Sequence, residues 1–217
     1  MKNLLLFFIT QIFMLPLQAQ TFVLGNDRMN IAYLGVDNPI SVAVENCKCK
    51  DIVLKVKNGT VQGQNCKYVF KGIDVGVAHI TVYKKIGKQL KIIGDYPFRV
   101  KRIPPPVFKI GPYGGTYTYE RKANKTILAN QQFARAELEE LDINARFPID
   151  SFYVKIFHAD SGKSEMLTNK TGEINQQILD AFSKLKKDDV LFFHAIFAKG
   201  PDNLQWQLTP LILIVDD

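Results

Sequence analysis

Apolar and polar positions alternate in short runs through the first half of the chain: Asn30–Tyr33, Ile40–Val44, Ile52–Val56, Lys67–Phe70, Ala78–Tyr83 and Leu90–Val100. A period of two is the signature of half-buried β-strands. Turn-forming residues separate the runs: Gly35, Asp37-Asn38-Pro39, Asn58-Gly59, Gly76 and Ile86-Gly87-Lys88. Asn-Gly in particular favours the positive φ of tight turns. Short strands recurring about every ten residues, with no helical stretch between them, predict an antiparallel sandwich of immunoglobulin type over residues 20–102.

The pattern breaks at Ile103-Pro104-Pro105-Pro106. Proline donates no ladder hydrogen bond and fixes φ, so residues 103–106 predict a stiff, extended connector. A second β region then occupies 107–217. In it Ser151–Phe157 alternates cleanly, and Val190–Ala198 and Leu208–Val215 are long apolar strands flanking the turn Gly200-Pro201-Asp202-Asn203. Over Thr171–Lys187 the period changes. Ile174, Ile178, Phe182 and Leu185 form a helical stripe, with Thr171 as candidate N-cap and Lys184, Lys186 and Lys187 in the last turn. The expected fold class is mainly all-β: two tandem β-sandwich domains, the first immunoglobulin-like, the second carrying one packed helix near 171–187.

The N-terminus adds a compartment. Lys2, the apolar run Leu4–Leu17 and Leu17-Gln18-Ala19 read as a signal peptide over residues 1–19. The run is short for a membrane span, and no second one follows, so the processed chain is expected to be exported, without a transmembrane segment. Net charge is +7, from 28 basic and 21 acidic residues; loss of Lys2 leaves about +6. The lysines are scattered and no aromatic-basic stripe accompanies them, which argues against nucleic acid as a partner. In an oxidising compartment Cys66 can pair with Cys47 or Cys49, leaving one thiol over. Three thiols and His79 make no recognised metal spacing.

No catalytic constellation assembles. His79, His158 and His194 each sit in or beside a strand pattern, and no nucleophile elbow, zinc-protease or P-loop motif occurs. Glu137, Glu139, Glu140 and Asp142 form an acidic cluster that reads as a solvated edge, and an enzyme built on it is the weakest of three readings. The chain is expected to be non-enzymatic, with no cofactor and no metal. The surface signal is stronger. Tyr113, Tyr117 and Tyr119 crowd one segment beside Arg121 and Lys122, and Trp206 follows the 200–203 turn. Aromatics with arginine are typical interface anchors, so these six residues are the candidate partner-binding set.

Three segments carry a family likeness: MNIAYLGVDNPISVAV at 29–44, FRVKRIPPPVFKIG at 98–111 and LKKDDVLFFHAIFAKGPDNLQWQLTPLILIV at 185–215. LDINARFPIDSFYVKI at 141–156 joins them. Together they resemble the C-terminal periplasmic region of GldM, also called PorM, of gliding motility and type IX secretion. The resemblance spans nearly the whole processed chain and contains no catalytic motif. It implies two β-rich domains at the distal end of a rod, a periplasmic site, outer-membrane association, and GldK- and GldN-like ring proteins as partners, with homodimerisation an open question. In the family an N-terminal membrane helix and a helical domain precede this region. A signal peptide in their place implies a free-standing distal module, used as an accessory or structural component of the secretion and gliding complex. The cysteines and Pro105 mark it as diverged. The alternative reading is a cell-wall or glycan-binding envelope module, with exposed aromatics as sugar platforms.

Overall fold

The structure, a computed structural model, describes residues 22–24, 30–115, 121–141 and 143–216. The signal-peptide expectation over 1–19 lies outside them. Eight strands build the first domain: β1 (Phe22–Leu24), β2 (Ile31–Tyr33), β3 (Asn38–Val44), β4 (Ile52–Lys57), β5 (Gly59–Gln64), β6 (Lys67–Gly72), β7 (Gly76–Ile86) and β8 (Gln89–Lys101). They form two four-stranded sheets, ordered β1-β3-β6-β5 and β2-β8-β7-β4. The ladders are antiparallel except that β2 runs parallel to β8. A split first strand feeding both sheets is the immunoglobulin arrangement.

Alternation explains the packing. Ala78, Ile80 and Val82 of β7 face inward, and the intervening positions face solvent. They meet Val42, Val44, Phe70, Phe98 and Val100 in one buried cluster. Two tight turns set the register. Asn65 and Cys66 both take positive φ between the paired Gln64 and Lys67. Gly87 takes φ +60° between Ile86 and Gln89, and glycine at the first loop position matches the twist of a two-residue hairpin. Cys66 forms a disulfide with Cys49, which sits in a 3-10 turn before β4; Cys47 is the free cysteine.

The second domain contains β9 (Val107–Ile110), β10 (Tyr113–Gly114), β11 (Arg121–Ala123), helix α1 (Lys125–Ala129), β12 (Ala134–Glu137), β13 (Ile149–Phe157), β14 (Ser164–Asn169), helix α2 (Gln176–Ser183), β15 (Val190–Lys199), β16 (Gln205–Leu208) and β17 (Leu211–Val215). A small sheet, β10-β9-β12, accompanies a larger one, β11-β17-β15-β13-β14, with β16 also on β15. Phe193 of β15 ties the layers. Its ring lies 5.5 Å from Phe108 of β9, 6.1 Å from Phe152 of β13 and 6.3 Å from Phe182 of α2.

Two elements differ from the sequence pattern. The helix is confined to Gln176–Ser183 and is capped by Asn175, whose Oδ1 accepts from Ile178 N–H at 3.0 Å. Thr171 lies upstream, in a loop held by buried Asn169. That side chain donates to the carbonyls of Thr171 and Glu173 and accepts from Asn175 N–H. A fully bonded buried amide outweighs the helical periodicity there. The apolar run ending at Val215 is split at Thr209-Pro210 into β16 and β17, because proline cannot donate to the ladder. Opposite the break, Ala195 takes φ +44°, and β15 changes neighbour from β17 to β16.

Candidate functional site: the joint between the two domains

Chain segments far apart in sequence meet where the domains touch. The loop after β2 returns into β3 through Asn38. Its Oδ1 accepts from Tyr33 N–H at 2.7 Å, and its Nδ2 donates to the carbonyls of Tyr33, Val36 and Phe70. Leu34 N–H donates to the carbonyl of Lys101 at 2.9 Å. So braced, the loop presents Gly35 and Val36 to the second domain. Gly35 has φ +80°, and a Cβ there would stand 2.7 Å from the Asp202 nitrogen and 2.8 Å from the Pro201 carbonyl. Only glycine satisfies both the left-handed backbone and the close approach. Val36 belongs to the first domain by sequence but is buried in the second domain's core cluster.

The connector continues this packing. Ile103 and Pro106 are buried, whereas Pro104 and Pro105 are exposed, so the prolines lie along the second domain instead of spanning open solvent. Arg102 Nη1 reaches Asp202 Oδ2 at 3.4 Å, with the aspartate side chain 7% exposed. Asp202 Oδ1 also accepts from Leu204 N–H, which fixes the turn. The Trp206 indole lies over Gly200 in that same turn. A cleft of about 450 Å³ runs along the seam, lined by Gly35, Val36, Asp37, Asn144, Arg146 and Pro201.

The sequence-predicted partner residues separate into distinct settings. Tyr113 is half-buried and its hydroxyl accepts from Asn124 N–H at 2.8 Å, so it braces the start of α1. Trp206 packs against the second core. Arg121 lies against Gly115. Lys122 is exposed, pairs with Asp216 at 3.1 Å and faces outward beside Ile214. Tyr117 and Tyr119 lie outside the described residues. Sequence reading missed the outward face of the larger sheet. Register puts Lys122, Ile214, Val190 and Phe157 in one row, and Ile212, Phe192, Lys155 and Met166 in the next. Tyr153 stacks on His194 and His194 on Phe192 beside them. Alternation in β13, which sets Tyr153, Lys155 and Phe157 on one side, was the available signal.

The titratable groups hold one another. Asp95 accepts from both His79 and Thr81, and these bonds, His79 first, hold its carboxyl below the usual carboxylate range. The threonine hydroxyl donates to the carboxylate and not to the imidazole. His158 contacts Asp189 and Glu165, while Asp189, fully buried, also accepts from Ala159 and Lys186 N–H. Glu137 and Glu139 pair with Lys109, and Glu137 also with Arg135. Asp142 lies outside the described residues. Among the described residues no cluster of His, Cys, Asp and Glu could hold a metal ion, and no helix is long and apolar enough to cross a membrane.

Residues 22–101 match the GldM third domain, and residues 104–216 match the GldM C-terminal domain. The chain belongs to the GldM family. The seam between the two matches coincides with Arg102 and Ile103 of the joint, and the matched domains make this a structural module of the gliding and type IX secretion kind. No curated protein matches the chain significantly. Among solved structures, the Yersinia pseudotuberculosis adhesin InvE aligns at 13% identity with a TM-score of 0.26. That alignment covers 90% of this chain and 58% of the adhesin's. A TM-score that low says nothing about function.

Proposed function

We propose that this chain is an exported, non-enzymatic interaction module of the bacterial envelope, working as an accessory or structural component of a type IX secretion or gliding complex. The observation that carries the reading is the joint. Val36–Ser41, Phe98–Pro106 and Ala198–Asp202, pieces on which the GldM likeness rests, converge there. They lock two β domains at one angle through Gly35, Asn38, Val36 and Asp202. A site built to fix geometry suits a stiff spacer with a docking end better than a catalyst.

The docking end is the second domain. Lys122 stands with Phe157, Phe192 and Ile212 on an outward sheet face, and aromatic and aliphatic anchors with a basic rim are what a protein partner buries. GldK- and GldN-like ring proteins of the periplasm and outer membrane are the partners that the family resemblance favours.

The test is an affinity pull-down of the tagged chain from its own envelope, with identification of what co-purifies. Recovery of ring components, lost in Phe157→Asp with Phe192→Asp, supports the reading. Recovery of other proteins only, or binding unaffected by that double variant, removes it. Sedimentation with purified cell wall tests the glycan alternative, since a protein adaptor stays in the supernatant.

A further inference from the structure

The opposite end of the first domain carries a surface that the joint and the sheet face leave unused. Strands β7 and β8 are long, and their hairpin runs past the sandwich. Alternating burial stops at Val82, and residues 85–92 are exposed on both faces of the ribbon. β4 stops pairing at Ile52, opposite Lys84, and β2 pairs only with Arg99–Lys101. Among the described residues the tip is therefore a two-stranded ribbon with no third strand beside it.

Its composition is specific. Between Lys84 and Gly94 stand Lys84, Lys85, Lys88 and Lys91, with no acid. Among them Ile86 is 56% exposed, Leu90 39% and Ile92 61%. Register assigns the faces. Lys84 pairs with Lys91 and Ile86 with Gln89 on one; Lys85 pairs with Leu90 and Tyr83 with Ile92 on the other. Both faces thus mix lysine with an aliphatic residue. The neighbouring loop adds Lys48 and Lys50 against Glu45 and Asp51, and Lys84 Nζ bonds its Asn46 carbonyl at 3.0 Å. Lys55 lies over the Tyr83 ring at 5.2 Å.

We propose that this hairpin tip, Lys84–Ile92, docks the protein onto an anionic lipid bilayer surface. Charge complementarity names the class of partner, since four lysines without an acid attract an acidic surface. The two-faced pattern selects lipid over an acidic protein. A protein groove takes one face of a ribbon, whereas headgroups surround a projecting tip. The lysine stems can lie along the aliphatic residues with their ammonium groups at the phosphates. Four residue pairs, Ile86–Gln89 to Tyr83–Ile92, reach roughly 10 Å, the depth of an interfacial anchor. The ribbon's open edges keep it in the hydrated headgroup layer, because unpaired backbone groups do not enter the hydrocarbon.

The test is flotation of the full chain with vesicles of 30 mol% phosphatidylglycerol in phosphatidylcholine (about one anionic lipid in three), against pure phosphatidylcholine. Parent and variants share the same N-terminus, so only differences between them count. Lys85→Glu with Lys88→Glu and Lys91→Glu should weaken partition on the order of a hundredfold. Ile86→Ser with Leu90→Ser and Ile92→Ser should also weaken it, and thermal melts of both variants should match the parent because these side chains are exposed. In Ile86→Trp, the new indole should be quenched by lipids that carry a spin label on the headgroup. Equal binding to both vesicle types, unchanged binding in the two triple variants, or an unquenched Trp at position 86 would each overturn the proposal. So would charge reversal that costs an acidic envelope protein in a pull-down but leaves vesicle binding intact.

Discussion

The two ends of the first domain solve opposite problems with the same turn chemistry. At the joint, Gly35 takes a positive φ and has the Pro201-Asp202 backbone against it. At the hairpin, Gly87 takes a positive φ with nothing within 4 Å of a Cβ. One glycine serves conformation and contact together, the other conformation alone. The stabilisation differs as well. The joint is held by buried Val36, by the Asn38 amide and by one ion pair. The hairpin end is held covalently, since Cys49 lies next to β4 where β4 meets Lys84. One end is packed against the second domain; the other is stapled behind the tip and left bare at it.

The largest expected effect breaks the stapled end. The Cys49–Cys66 bridge spans 17 residues in sequence, and closing a loop of that size stabilises by about 3 kcal/mol. Cys49→Ser with Cys66→Ser should lower the melting temperature of the first domain by on the order of 10 to 20 °C and leave the second domain's transition in place. A loss below about 1 kcal/mol would mean that the turn geometry at Asn65 and Cys66 holds that end without the covalent link.

The next effect breaks the packed end. Valine at Gly35 meets backbone strain and a backbone clash, worth about 2 kcal/mol or more together. Gly35→Val should undock the domains while each stays folded, seen as an increased radius of gyration in solution scattering. The Trp206 emission should shift too, since the indole lies over the joint's own turn. Gly87→Val is the matched control, with strain but no clash. If the control shifts Trp206 as much as Gly35→Val does, the joint is not what that residue serves.

Much of this architecture was legible from periodicity alone. Ile40–Val44, Ile52–Val56, Ala78–Tyr83 and Ser151–Phe157 fall inside β3, β4, β7 and β13. Strand β5 was not, because Thr60-Val61-Gln62-Gly63-Gln64 contains one apolar residue; it exists because β6 templates its backbone. The helix was overextended because Ile174 and Leu185 keep the apolar stripe while Asn169 and Asn175 decide where hydrogen bonding begins. The joint was hidden for a different reason. Gly35, Asn38 and Asp202 read as separate turn signals, and only the tertiary approach of Gly35 to Asp202 unites them. Tyr113 and Trp206 drew notice as aromatics, but composition carries no information on which way a ring points.

A smaller change separates packing from charge within the joint. Arg102 is half exposed, and although the Asp202 side chain is 7% exposed its Oδ1 keeps the Leu204 N–H bond, so the pair contributes on the order of 1 kcal/mol or less. Arg102→Ala should therefore leave scattering and Trp206 emission near the parent's, and raising salt should do no more. An opening as large as that of Gly35→Val would transfer the angle from the packed loop to the ion pair.

The smallest effect lies on the exposed sheet face between the two ends and depends on pH. Asp95 has its carboxyl held down by bonds from His79 and Thr81, so its ionised form is favoured in the folded state. A lowered folded-state value means that the contribution is complete above the unfolded carboxylate's range, roughly pH 4. It fades as pH falls through the lower folded value. Thr81→Val removes one of the two donors, so it should cost a slight loss at neutral pH that disappears as pH falls below about 4, which flattens the acid limb of the stability curve. The carboxylate is about half exposed, so the difference should be slight and should shrink further in high salt. A large loss at pH 7 would mean instead that Thr81 matters through its packing in β7, at the midpoint between the joint and the tip.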